Sequence, residues 1–242
     1  AANFLGVSDI FLLTLLSAAV CLLVGLIFGP LLSSYRGIFF AMLSLALSMV
    51  LYGSLSKMSF IGGTDGLNIG APTFLGWAPE GRPLQTALYL YVVTIVVISG
   101  ALMRVYFDSE QGLITQATRD NELRVEYLGA SVRTVMAYNY AFGALLGGIG
   151  GTIAVLALGH VDPEFAFWTT SGEFVFVAIL AGYLSVPAVF FAAIILELVR
   201  SFSSLYFPNT WQLSLGIFLL IVIVTLPSGL GSLVSRRKGQ NT

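Results

Sequence analysis

A chain of 242 residues with 57% hydrophobic and 10% charged side chains and a mean hydropathy of +0.92 is not a water-soluble globule, which carries about 25% charged residues. It is a membrane chain whose 11 Lys and Arg nearly balance 12 Asp and Glu, so net charge points to neither a nucleic-acid partner nor an acidic tail. The single cysteine, Cys21, excludes an internal disulfide framework and a Cys-based metal site.

Because an ionised side chain at the bilayer centre costs about 2.5–3.5 kcal/mol while ~20 apolar residues cross the hydrocarbon, charge-free windows mark the spans. They run from Ile10 to Tyr35, Gly37 to Ser56, Pro83 to Met103, Thr134 to Val161, Phe174 to Leu196 and Ser201 to Ser235. The first is too long for the apolar core of a signal peptide and has no basic residues before it. Trp168 to Val199 would measure about 48 Å as one helix, too long for a core near 30 Å. Pro187 lacks an amide donor and restricts Val186, so Gly182-Tyr-Leu-Ser-Val-Pro187 predicts a break between helices of roughly 169–182 and 187–201. Pro208-Asn209 predicts another break, leaving a last span of about Trp211 to Leu230 with Pro227 near its end. The fold class is therefore all-α, a polytopic transmembrane bundle of about five full spans plus a broken or re-entrant pair (roughly 6–7 membrane segments), with a short helix outside the membrane.

Lys and Arg in short connections favour the cytoplasm. The connection Arg104–Arg133 and the tail with Arg236, Arg237 and Lys238 both belong inside, which requires the broken 168–201 segment to count as two passes or one re-entrant pair. Arg36 also falls inside; Lys57, Arg82 and Arg200 fall outside, as do the acidic 162–173 segment and Trp77, Trp168 and Trp211. This distribution predicts a multi-pass chain with a cytoplasmic C-terminus.

Within the 104–133 connection, Arg119, Asp120, Glu122, Arg124 and Glu126 flank Leu123, Val125 and Leu128, which predicts one short amphipathic helix ended by Gly129 in a left-handed cap. Such a helix is a lever for a partner protein or, equally, a solvated loop that enforces topology. Gly143, Gly147 and Gly151 recur every four residues, a small-residue pattern that lets helices touch or slide. Ser44, Ser48 and Tyr52 share a helix face and are pathway candidates, as is Asn139; a serine bonded to its own helix, or an asparagine joining two helices, is the alternative. No ionisable side chain sits mid-span, which disfavours an ion-coupled transporter. Glu197 pairs with Arg200 at i+3 or reaches the interface. His160 has no Cys or second His beside it in sequence, which argues against metal or catalytic chemistry and so against an intramembrane enzyme. Gly62, Gly63, Gly66 and Gly70 around Asp65 and Asn68 read as a compact external turn within a 58–82 loop.

The run Arg119-Asp-Asn-Glu122 followed by Glu126-Tyr-Leu-Gly129 resembles the coupling-loop signature of LivM-type permeases in ATP-driven (ABC) importers of branched-chain and hydrophobic amino acids. Arg36-Gly-Ile-Phe-Phe-Ala-Met-Leu-Ser-Leu-Ala46, Gly62-Gly-Thr-Asp-Gly-Leu67 and the stretch from Trp211 through Pro227-Ser-Gly-Leu230 resemble further family segments, in family order. The resemblance implies one permease domain over 1–242, with Arg119, Asp120, Asn121, Glu122, Leu123, Arg124, Glu126, Leu128 and Gly129 in ATPase coupling. It also implies a second homologous permease subunit, two ATPase subunits that bind ATP and Mg, and an external substrate-binding protein. The chain has no P-loop and needs no cofactor of its own. Two departures stand out: Ala181-Gly-Tyr-Leu-Ser-Val-Pro187 replaces a Gly-Gly-Leu-Gly-Ser-like turn, and the chain begins Ala-Ala, which leads us to expect further N-terminal family spans outside this sequence. Arg200-Ser-Phe-Ser-Ser-Leu-Tyr-Phe-Pro208 also resembles the permease of urea and short-amide importers, so cargo remains open between the two.

Overall fold

The structure is a computed structural model that describes residues 8–58, 62–70, 72–74, 76–79, 81–182, 185–206, 208, 210–225 and 229–231. Pro227, Asn209, Tyr183, Leu184 and the basic tail Arg236, Arg237 and Lys238 lie outside the described residues. The described chain is all-α apart from two-residue strands, and it divides into two compact units, Ala1–Phe167 and Trp168–Thr242.

The first unit holds α1 (Ile10–Leu32), α2 (Ile38–Lys57), α3 (Arg82–Asp108), α4 (Glu110–Asp120), α5 (Glu122–Tyr127) and α6 (Val132–Leu158). α1 starts where the Asp9 carboxylate accepts from the Phe11 amide at 3.0 Å, satisfying one orphan donor of the first turn. The helix is apolar all round, as lipid requires, and buries a narrow face against α6. That face is made of small residues. A Cβ on Gly25 would meet the Ala144 Cβ at 2.7 Å and the Ala141 Cα at 2.9 Å, and one on Gly148 would meet the Cys21 Cβ and the Ser17 carbonyl at 2.8 Å. Ser17 donates to the Gly148 carbonyl across this contact at 2.9 Å. The helices touch backbone to backbone, where lipid offers no hydrophobic drive and dispersion and hydrogen bonding must hold the pair.

Within this chain the α1–α6 contact does not use Gly143, Gly147 and Gly151. A Cβ at any of the three would meet nothing within 4 Å, and all three are exposed within this chain. The repeat selects a face of α6 but not which face the neighbour takes; the contact follows Ala137, Ala141, Ala144 and Gly148, opposite Gly29, Gly25 and Cys21.

At the other end of α1, Ile10, Tyr91 and Leu156 form a cluster that joins α1, α3 and α6, and the Thr14 hydroxyl bonds the Tyr91 hydroxyl at 2.5 Å. β1 (Leu67–Asn68) pairs antiparallel with β2 (His160–Val161), and Asn68 Oδ1 lies 2.9 Å from His160 Nδ1. The glycine-rich turn is therefore tied to the connection that leaves α6. Gly66, at φ +68°, lies directly against the Val161 carbonyl, so only glycine fits there. A 3₁₀ turn, Pro163–Ala166, completes the connection.

The second unit contains α7 (Trp168–Ala181), α8 (Val186–Tyr206) and α9 (Trp211–Thr225). Ala188, Ala192 and Leu196 line one face of α8, and Leu215, Leu219 and Val222 one face of α9; with Leu180 and Ala181 they form this unit's core. The break falls where Pro187 places it. Gly182 closes α7 at φ +71°, and Leu230 donates to the Leu180 carbonyl at 2.9 Å, setting the end of the last segment against the turn. α8 runs to Tyr206 rather than stopping near 201, and Arg200, which is only partly buried, is paired along it. Its guanidinium lies 3.0 Å from Glu173 Oε2, 4.0 Å from Glu197 and 5.4 Å over the Trp211 ring. Glu173 on α7, rather than Glu197 one turn back, is the nearer partner.

Among the described residues five helices are long and apolar enough to cross a membrane: α1, α2, α3, α6 and α8; α7 and α9 are shorter. The long member of the broken pair, α8, is itself of spanning length, while 15 described residues of the expected last span are helical in α9 and residues 226–228 lie outside the described residues. Charge-free windows mark hydrocarbon rather than helix length, and α3 accordingly continues past Met103 with Arg104 and Asp108 paired at 3.7 Å.

Candidate functional site

The candidate site is the polar segment between α3 and α6. α3 ends at Ser109, whose extended backbone turns the chain and whose hydroxyl accepts from the Gly112 amide at 3.4 Å as the cap of α4. Gly112 lies directly against the Phe107 backbone, a corner no side chain could share. Glu110 in the first turn of α4 and Arg119 in the last both complement the helix dipole.

The sequence predicts one helix over 119–128; the structure has two. Asn121 is extended at φ −162°, ψ 103°, and its side-chain oxygen accepts from the Arg124 amide at 3.0 Å. Asparagine competes with the helix for backbone donors and here caps a new one. Arg119 and Asp120 therefore close α4, whereas Glu122, Leu123, Arg124 and Glu126 belong to α5.

The end of α5 is as expected. Gly129 adopts φ +89°, its amide donates to the Glu126 carbonyl at 2.9 Å, and the Ala130 amide donates to the Val125 carbonyl at 3.2 Å. This is the paired bonding of a Schellman cap, with glycine at its left-handed position.

The apolar face differs from the expected Leu123, Val125 and Leu128. Val125 is 3% exposed and packs within the chain, whereas Leu123, Tyr127 and Leu128 are 65%, 88% and 80% exposed. The cause is angular: 125 is about 200° around the helix from 123, whereas 127 lies one turn on from 123. The outward surface is thus Leu123, Tyr127 and Leu128, surrounded by the exposed charges of Asp120, Arg124 and Glu126.

Two sets of bonds fix this segment to the spans, and a further one joins α6 to α1 beside it. Glu122 Oε2 accepts from Arg36 Nε at 3.0 Å, joining α5 to the α1–α2 connection, while Arg36 also donates to the Ser33 carbonyl. Arg133 donates to the Pro30 carbonyl at 3.2 Å. Asn139 sits at a three-helix junction: its Oδ1 accepts from the Tyr106 hydroxyl of α3 at 2.6 Å, and its Nδ2 donates to the Thr115 hydroxyl of α4 at 3.1 Å. Tyr106 also stacks on Phe142 of α6, centroids 4.2 Å apart. Arg36, Tyr106, Thr115 and Tyr127 were not selected from the sequence as part of this site. Arg36 is far away along the chain, and a tyrosine or threonine in a polar run carries no periodic signal.

Asn139 is thus the joint between helices that sequence offered as one of its two uses. The Ser44 hydroxyl donates to its own helix at the Ala41 carbonyl, 2.9 Å away; Ser48 donates to the Ala166 carbonyl at 2.7 Å; Tyr52 meets the Phe167 ring edge-on at 5.0 Å. Ser48 and Tyr52 therefore meet the 163–167 connection, and Asn139 shares no bonded partner with them. Among the described residues no group of His, Cys, Asp and Glu could hold a metal.

Comparison with known proteins bears on this arrangement. The family model described as "Branched-chain amino acid transport system / permease component" matches residues 2–226. The high-affinity branched-chain amino acid transport system permease protein LivM of Escherichia coli K12 is 29% identical over 147 residues, covering 59% of this chain and 33% of that protein. The aligned part thus spans about a third of that curated relative's length. No solved structure matches. A match across nearly the whole chain, on a multi-pass membrane protein with these apolar helices, shows that the chain belongs to the permease components of branched-chain amino acid transport systems.

Proposed function

We propose that this chain is a permease subunit of an ATP-driven importer of branched-chain and other hydrophobic amino acids in a bacterial inner membrane. In this reading the 119–129 segment lies in the cytoplasm and docks on one of two ATPase subunits, which hold ATP and Mg. A second homologous permease completes the pathway, and an external binding protein delivers the amino acid.

The observation that carries the reading is the outward face of α5. Leu123, Tyr127 and Leu128 are exposed on a capped helix outside the long apolar spans, a face that water does not favour and a protein cleft does. Nucleotide-driven closure of the ATPases would displace α5 as a rigid body. The Arg36–Glu122 pair would pass that displacement to the α1–α2 connection, and the Asn139 junction would pass it to α3 and α6. Ser44, Ser48 and Tyr52 remain pathway candidates within α2, and the exposed Gly143, Gly147 and Gly151 face is available to a neighbouring helix. The 62–70 turn would lie on the external side, near the docking surface for the binding protein.

The test is uptake of radiolabelled leucine into vesicles carrying the whole assembly, with and without the ATPases. ATP-dependent leucine uptake that disappears with the ATPases is expected. Uptake by this chain alone, driven by an ion gradient, would overturn the proposal, and uptake of urea in place of leucine would move the cargo to short amides.

A further inference from the structure

Two adjoining cavities of about 300 and 280 Å³ open between α1 and α6, and Leu26 and Tyr138 line both. Together they make one groove whose chemistry changes along its length. At one end it is lined by Ser33 and Arg133, in the middle by Tyr138, and at the other end by Leu22, Phe142 and Leu145, with Tyr106 of α3 and Gln111 of α4 on its edge. From Arg133 to Leu145 α6 rises about 18 Å. Half a bilayer with its headgroups measures about 20–22 Å. The groove is thus nearly as long as one leaflet, and its lining is mainly apolar away from Arg133.

Its polar end carries an uncompensated charge. Arg36, Arg104 and Arg200 each have a carboxylate within 4.0 Å, whereas Arg133 has none among the described residues. Among the described residues its one bond is to the neutral Pro30 carbonyl, and the exposed guanidinium keeps most of its five donors open to another acceptor. A phosphodiester supplies that acceptor with the matching charge, and basic pockets between spans hold anionic headgroups in this manner.

We propose that the α1–α6 groove is a binding site for an anionic phospholipid, its phosphate on Arg133 and one acyl chain along Leu22 and Leu145. The site requires only that the chain spans a bilayer and is independent of the transported cargo. A lipid there would lie against the helix pair whose contact is centred on Gly25 and next to the Arg133–Pro30 bond, so it would stabilise both.

The experiment reconstitutes the whole assembly in nanodiscs of phosphatidylcholine doped with phosphatidylglycerol. Native mass spectrometry then measures which lipid stays bound after transfer to detergent. Wild type retains phosphatidylglycerol in preference to phosphatidylcholine. Arg133→Gln loses about fivefold of that retention, the ~1 kcal/mol of one basic residue at an anionic surface; Arg133→Lys keeps most of it, and Leu145→Trp, filling the groove, loses both lipids. Equal retention of the two lipids by wild type overturns the proposal without reliance on any variant. Undiminished retention by Arg133→Gln, or a subunit helix lying in the groove of the complete assembly, overturns it as well.

Discussion

Replacing Gly25 by alanine separates a packed glycine from an open one. The added methyl would lie 2.7 Å from the Ala144 Cβ and 2.9 Å from the Ala141 Cα. Carbon atoms in contact prefer about 3.5–4.0 Å, so α1 and α6 must part by roughly 1 Å along a face held by dispersion. Overpacking of this kind costs about 1–3 kcal/mol. For a domain of this size that is a fall of about 2–12 °C in unfolding midpoint. Gly147→Ala on the same helix pair meets nothing within 4 Å and removes the ~0.5–1 kcal/mol helix penalty of glycine, so it leaves the midpoint unchanged or raises it. The assay is thermal unfolding of the purified chain in one detergent, followed by tryptophan fluorescence. A Gly25→Ala midpoint equal to wild type, or a larger loss from Gly147→Ala, would refute the packing described for α1 and α6.

Asn139→Leu removes both bonds at the junction of α3, α4 and α6, and at about 0.6–2 kcal/mol per interhelical bond in a membrane it lowers the midpoint by several degrees. Proteolysis between Arg104 and Arg133 in the folded state should quicken in parallel, and an unchanged rate would remove Asn139 from its role as the joint. Gly129→Val forces a branched residue to φ +89° at a cost of about 1–2 kcal/mol; ATP hydrolysis by the assembly persists while leucine uptake falls, and equal retention of both would count against coupling through α5. Gly66→Ala has no room against the Val161 carbonyl, so the β1–β2 pairing opens; hydrogen exchange at the Ile69 amide, which donates to the Gly159 carbonyl at 3.0 Å, reports it, and full protection there would contradict the pairing.

What could be read from sequence was what depends on solvent. Spans follow from the cost of charge in hydrocarbon, so α1, α2 and α6 begin and end within a few residues of the charge-free windows, and Pro187 and Gly129 fix a break and a cap by backbone constraint alone. Tertiary choices were not legible. Which face of α6 meets α1 depends on a partner the local repeat does not specify, so Gly143, Gly147 and Gly151 were selected although Gly148, one residue out of phase, is the buried one. The Arg200–Glu173 pair spans 27 positions, and the Arg36–Glu122 pair spans 86 positions. The break at Asn121 had a local signal, an Asn followed by Glu at a helix start, but it lay inside a longer polar pattern that reads equally as one helix.

The central claim is that the Leu123, Tyr127 and Leu128 face of α5 is held by an ATPase subunit. A single cysteine placed by Leu128→Cys in a Cys21→Ser background, treated with a membrane-impermeant maleimide in inside-out vesicles, tests it most directly. Rapid labelling of the permeases alone, strong protection when the ATPases are assembled, and a disulfide to a cysteine placed in the ATPase cleft are expected. Equal labelling with and without the ATPases, or labelling only from the opposite side of the membrane, would contradict it.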